Sequence, residues 1–326
     1  MKKVVVFASL ALLMILTSFY AIDLIINVQV SSPPSIQNVT LYSDDNGGTT
    51  TSVNSLTPND EMTLYFEIYD ADIADGDSIT SITVEFYYQT KPQSTSPDLY
   101  VKYTWDGTSW SLDDGVTNSE YADYKWGLDT ENTSVTVDTI NSIYVVKLVF
   151  TPSKIAVYND TSSWNIEIKA VDSTNQEGTT TVSYNCAFYV EYVSINPSSV
   201  SILIAPDGQA HLISDSPVTI TIISNANYSL KMGSPGWYNE TNDLVYDLTE
   251  ISIYVDDDDL FNGDEYQVTV SDPTLASPFG SYTRTYWDTV NGAPVSSQPS
   301  LYIFIVASTS VQPGKYHTTL SIIASV

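Results

Sequence analysis

The groups best able to do chemistry in this sequence are carboxylates, concentrated in two runs. Asp70-Ala71-Asp72-Ile73-Ala74-Asp75-Gly76-Asp77 places four aspartates in one short segment, with Gly76 to allow a sharp turn. Hard cations take several oxygen ligands at short spacing, and closely spaced aspartates supply them. Packed carboxylates also repel one another unless a cation joins them. Asp70, Asp72, Asp75 and Asp77 are therefore the expected ligands of a calcium ion (Ca2+). Asp256-Asp257-Asp258-Asp259-Leu260-Phe261-Asn262-Gly263-Asp264 is a second dense run. Neither run follows the EF-hand pattern, and a solvated acidic loop has the same composition. The sequence requires no other cofactor.

Catalytic signatures are missing. The histidines, His211 and His317, lie far apart, and no HExxH, GxSxG or Walker loop occurs. A glycosidase needs only two carboxylates, but nothing singles out a pair. The chain is read as a non-enzyme. Cys186 is the single cysteine, so no intramolecular disulfide or thiolate cluster can form. It falls in an apolar run from Val182 to Val193, which fits a buried, inert thiol. Trp105, Trp110, Tyr121, Tyr124 and Trp126 form one aromatic group, and Tyr282, Tyr286 and Trp287 another. Aromatic rings can serve as platforms for sugars. Core and cross-strand packing is the favoured reading for each ring taken singly.

The elements that must position these groups are strands. Past residue 30 the chain shows short Val/Ile/Thr/Tyr/Phe runs with period-two alternation, cut by Gly, Pro, Asn and Asp. Runs 62–68, 79–88, 143–150, 164–171, 218–223, 267–270, 301–306 and 316–326 are expected strands. Trp105-Asp106-Gly107-Thr108-Ser109-Trp110 reads as a hairpin tip. Turn signals at regular spacing predict sandwiches, not βαβ units. Pro197 should stop a strand, with a new one starting at Val200. The expected fold is all-β: two tandem antiparallel β-sandwich, Ig-like domains over residues 31–193 and 194–326.

Two further segments precede them. Lys2 and Lys3 lead into an apolar run from Val4 to Leu16, so residues 1–21 read as a signal peptide or N-terminal anchor. In residues 22–30, Ile22, Leu24, Ile26, Val28 and Val30 alternate with mostly polar residues. Burying these five aliphatic side chains is worth roughly 1.5–3 kcal/mol each, and exposing them would create an edge-pairing hazard. The segment must therefore have a partner: a membrane, its own domain, or a groove in a neighbouring subunit, by strand addition. Pro33-Pro34 reads as a stiff, extended spacer behind it.

The formal net charge is −28, from 39 acidic against 11 basic residues. Such a surface repels nucleic acid, which excludes that class of partner. Asn38, Asn132, Asn159, Asn227 and Asn239 open Asn-X-Ser/Thr sequons and are expected glycosylation sites.

Ser55-Leu56-Thr57-Pro58-Asn59-Asp60, the Trp105–Trp110 hairpin and Ser163-Trp164-Asn165-Ile166-Glu167-Ile168-Lys169-Ala170-Val171-Asp172-Ser173 together resemble immunoglobulin-like sandwiches of archaeal cell-surface proteins. Pro313-Gly314-Lys315-Tyr316 and the Thr-rich end resemble the closing hairpin of pilin-type sandwiches. With the apolar strand at 22–30, the arrangement resembles subunits of donor-strand-exchanged archaeal surface filaments, the thread and bundling-pilus type. That resemblance implies an extracellular or cell-surface homopolymer, assembled head to tail as residues 22–30 of one subunit complete the sandwich of the next. A surface adhesin or carbohydrate-binding protein that does not polymerise is the alternative. Partners on this reading are other copies of the chain, envelope proteins and glycans.

Overall fold

The computed structural model describes residues 32–45 and 48–326. The expected signal or anchor (1–21) and the donor strand carrying Ile22, Leu24, Ile26, Val28 and Val30 lie outside the described residues. The rest is an all-β chain whose sheets are antiparallel, as the period-two alternation predicts, apart from the parallel pairing of Ser55–Leu56 with Glu177–Cys186.

In the first half, one sheet runs Gly48–Ser52, Ser35–Asp45, Met62–Tyr69 and Ile143–Thr151. Gly127–Leu128 and Ser134–Asp138 both pair with that last strand. The facing sheet runs Ser55–Leu56, Glu177–Cys186, Asn159–Asp172, Ile79–Tyr88, Tyr100–Trp105 and Trp110–Asp113. Met62, Leu64, Phe66 and Ile68 point inward from the first sheet, and Trp164, Ile166, Ile168 and Ala170 from the second. Alternate residues of a strand share a face, so these ladders close on one core. Trp126 lies inside it, 5.4 Å from Phe86 and 5.8 Å from Trp164 between ring centroids. Both buried indoles are satisfied: Trp126 Nε1 donates to the Pro97 carbonyl at 2.8 Å and Trp164 Nε1 to that of Val157 at 2.7 Å.

The second half has its own core around Ile220, Ile222, Leu230, Met232, Ile253 and Val255. Its larger sheet runs Val190–Asn196, Val218–Ser224, Ser300–Ala307, Ile251–Asp256 and Tyr266–Val268, with Ala210–Leu212 paired to Ser300–Ala307. The other sheet has three strands, Phe279–Tyr282, Tyr228–Gly233 and Ser321–Ser325.

Residues Pro33–Val326 form one compact unit. The halves meet through a small cluster of Val116, Ile155, Ile223 and Trp287. Asn225, fully buried, joins them: its Nδ2 donates to the carbonyls of Ala156 (2.8 Å) and Ala187 (2.9 Å) and its Oδ1 accepts from the Tyr189 N–H (2.9 Å). Arg284 pairs with buried Asp98 across the same junction at 3.1 Å.

Three local expectations change. The strand before Pro197 does end at Asn196, but none starts at Val200, and residues 199–209 form no strand. Val200, Ile202 and Leu203 stay exposed there, because no sheet edge takes up the segment. The final strand covers Ser321–Ser325 only, with His317 making an isolated bridge to Tyr238. Pro34 is buried rather than held clear as a free spacer: a Cβ at Gly178 would overlap its carbonyl, so only glycine lets the two backbones approach.

Candidate functional site

The inward ladders of the two facing sheets each end in an aspartate. Asp70 takes the next inward place after Ile68, and Asp172 the next after Ala170; both are 1% exposed. Asp77 (7% exposed) stands two residues before the strand Ile79–Tyr88. One carboxylate oxygen from each of these three residues lies within 4.8 Å of the others.

Backbone N–H groups hold each carboxylate. Asp70 caps the short 3-10 turn Ala71–Asp75, its Oδ1 accepting from the Asp72 N–H at 3.0 Å. Gly76, at φ 95°, closes the turn in the left-handed region that favours glycine. Asp77 Oδ1 accepts from the Ser78 N–H at 2.7 Å, the Ser173 N–H at 3.1 Å and the Ser173 hydroxyl. Asp172 Oδ1 accepts from the N–H groups of Thr174 and Gln176, both at 2.8 Å. The Oδ2 atoms of Asp70 and Asp172 are buried and have no hydrogen-bond partner. Burial raises the pKa of Asp70; the Asp72 N–H opposes this, and the charges of Asp77, Asp72 and Asp172 add to it.

Of the four aspartates expected to act together, the fold gathers Asp70 and Asp77. Asp72 is half-buried on the turn and outside the group, and Asp75 ends the 3-10 turn. The third member, Asp172, is far away in sequence. Its signal was the alternation Trp164, Ile166, Ile168, Ala170, Asp172, which assigns a carboxylate to a core position.

Asp256, Asp264 and Glu265 form a second group of the same size. Asp256 is 5% exposed with an unpartnered Oδ2, whereas Asp264 is exposed and Glu265 half-buried. Glu265 Oε1 accepts from the Gly263 N–H at 3.0 Å.

Much of the remaining acidity is turn chemistry. Asp129, Asp138 and Asp288 each open an Asp-Thr-x-Asn turn, with the Asn amide donating back to the Asp at 2.6, 2.7 and 2.5 Å. All three carboxyls are held below the usual range, Asp129 and Asp138 chiefly by the Asn amide and Asp288 chiefly by the Val290 N–H. Asp106, Asp247 and Asp272 make Asp-x-Thr turns of similar kind, and Asp106 is lowered to about 2 chiefly by the Ser109 N–H.

The sequons sit in related geometry. Asn159 and Asn239 accept from Thr161 and Thr241, as the Asp-x-Thr turns do. The amides of Asn38 and Asn132 donate to Glu67 (2.7 Å) and Asp129 (2.6 Å), and Asn227 is exposed, accepting from the Arg284 N–H at 2.9 Å.

Of the aromatic groups, Trp126 and Trp287 are core residues, and Tyr121 packs edge-on against Trp287. Trp105 and Trp110 pair across the expected hairpin and line a cleft of about 410 Å³ with Thr108, Thr130 and Ser134. Cys186 is buried, and burial raises its thiol pKa. His211 lies 3.0 Å from Asp207, and His317 stacks on Tyr238.

The second sandwich has an open side. Ser321–Ser325 is the edge of the three-stranded sheet, and Val190–Asn196 the edge of the facing one. They are neighbours, since the Ala324 N–H donates to the Tyr192 hydroxyl at 2.6 Å. Val190, Ile322 and Ala324 of these two strands pack on the core while only partly buried. Val193 and Ile195 are exposed beside them. Among the described residues, no helix is long and apolar enough to cross a membrane.

No family model matches the chain, and no curated protein matches it. Solved structures similar in part include BcpA, the major pilin subunit of Bacillus cereus, at 11% identity over 84% of this chain and 67% of that one, TM-score 0.24. Another is BspA_C_mut, at 10% identity over 91% and 96%, TM-score 0.24. The wild-type C-terminal domain of the Streptococcus agalactiae AgI/II polypeptide BspA is similar at 10% identity over 90% and 96%, TM-score 0.21. Likenesses this weak carry no argument about role, and none of them bears on an archaeal origin; the all-β assignment rests on the sheets themselves.

Proposed function

We propose that this chain is a non-catalytic structural subunit of an extracellular surface assembly, as the resemblance to archaeal surface filaments implies, and that residues 22–30 of one copy add to the open side of the second sandwich of another. The carrying observation is that side: two neighbouring edge strands, Val190–Asn196 and Ser321–Ser325, with core residues Ile322 and Ala324 incompletely covered between them. An unpaired edge over partly exposed core is what strand addition completes. The occupant follows from sequence, because Ile22, Leu24, Ile26, Val28 and Val30 present one apolar face of strand length. Donation from copy to copy is a head-to-tail contact and gives open filaments.

The test deletes residues 22–30 from the secreted chain. A folded monomer by light scattering, bound by a synthetic 22–30 peptide and losing that binding in Ile322→Asp, is expected. Filaments from the truncated chain would overturn strand donation.

A second, adhesive reading is favoured by the Trp105–Trp110 cleft, whose hydroxyls and rings fit a sugar face. It requires polysaccharide affinity that falls at least tenfold in Trp110→Ala; equal affinity in wild type and variant rejects it.

A further inference from the structure

We propose that Asp70, Asp77 and Asp172 bind one calcium ion that clamps the two sheets of the first sandwich together. The inference stands apart from the assembly reading. Three carboxylates at least nine-tenths buried converge on one point, and the Oδ2 atoms of two of them have no partner. A buried charge without a partner is costly, and a cluster of three is costlier. Oxygens on a single calcium ion, at about 2.3–2.6 Å, lie at most about 5 Å apart. The observed spread, within 4.8 Å, needs no rearrangement to meet that.

In two of the three aspartates the geometry also separates two tasks. Oδ1 of Asp70 and Asp172 shapes its turn, and Oδ2 is left for the ion. Because Asp70 follows Met62–Tyr69 in one sheet while Asp172 ends Asn159–Asp172 in the other, one ion would tie both sheets at this pole. The same pole receives the chain from its N-terminal side: Ser35 pairs with Tyr69, and Pro34 lies over Gly178.

The experiment uses the full chain, stripped with chelator and then titrated with calcium chloride alone. Thermal unfolding should rise by roughly 5 °C at a hundredfold excess over Kd. Asp172→Asn keeps the Oδ1 acceptor of the turn and removes the charge. It should unfold in chelator at the wild-type temperature or above, and should lose the calcium response. Glu265→Gln, in the second acidic group, should keep that response. Hydrogen exchange of the wild type needs no variant: calcium should slow exchange at 70–79 and 172–178. No calcium-dependent shift, no protection at those two segments, or an unchanged response in Asp172→Asn would each overturn the site.

Discussion

The two acidic groups have equal numbers of carboxylates and unequal surroundings. Asp70 and Asp172 continue inward ladders from two facing sheets, and Asp77 joins them from the start of a third strand. Asp256 belongs to a strand whose inward ladder is Ile251, Ile253 and Val255, so it is out of phase with that core; its companions Asp264 and Glu265 lie in a solvent-facing loop. The second run is the denser one in sequence, yet it buries fewer charges. Acid density along the chain is thus a poor guide to a site. Convergence from separate strands makes repulsion expensive, because water can no longer screen it.

Glycines beside the two groups give the largest expected contrast. Gly178 lies against the Pro34 carbonyl, and an alanine there forces the backbone apart at the pole of the first group. Gly178→Ala should cost about 3 kcal/mol in denaturant unfolding. Gly263 is at φ 106° with nothing within 4 Å of a built Cβ, so Gly263→Ala meets strain alone and should cost about 1 kcal/mol. Equal costs would mean that the first pole yields as readily as the exposed loop.

What the sequence makes legible follows from the range of each signal. The period-two alternation marks Met62–Tyr69, Ile143–Thr151 and Asn159–Asp172 because one buried face imposes it locally. The Trp105–Trp110 hairpin is legible from the turn residues Asp106-Gly107 at its tip. Asp172 is a member of the acidic group only through pairing between distant strands, which composition does not carry. The run at 70–77 therefore announces acid but not which acids meet. The sequons are ambiguous for another reason: Asn-x-Thr at Asn159 and Asn239 has the turn geometry that Asp-x-Thr has at Asp106 and Asp247. Val200 misleads because alternation becomes a strand only where the segment pairs, and residues 199–209 belong to no sheet.

Acidity separates the buried group from the turn aspartates. Asp70 has its pKa raised by burial first and neighbouring charge second, so the folded chain holds that proton more tightly than the unfolded one. Its stabilising effect is complete below the ordinary carboxylate range and is lost as pH rises through the raised value. Asp129, Asp138 and Asp288 are lowered by their turn contacts. Their effect is complete above the ordinary range and is lost as pH falls through the lowered values. In chelator, stability should therefore decline with rising pH just above the ordinary carboxylate range, and Asp70→Asn should flatten that limb without touching the acid limb. Calcium should abolish the decline in the wild type, since the ion replaces the proton. A profile in which Asp70→Asn changes only the acid limb would assign Asp70 to the turn class.

The smallest expected effect tests the other side of the comparison. Asp264 is exposed, so water already screens its charge from Asp256 and Glu265. Its backbone N–H contacts Asn262 Oδ1 at a long 3.4 Å, and Asp264→Asn leaves that contact in place. The substitution should move the unfolding midpoint by no more than about 0.5 kcal/mol, with or without calcium. Burial of Asp256 alone raises its pKa first, with Asp258, Asp264 and Asp257 adding charge that removal of a single exposed neighbour hardly alters. A calcium-dependent loss of stability in Asp264→Asn as large as that in Asp172→Asn would show that one buried carboxylate with a half-buried and an exposed one suffices to hold an ion. Convergence of buried ladders would then no longer distinguish the two groups.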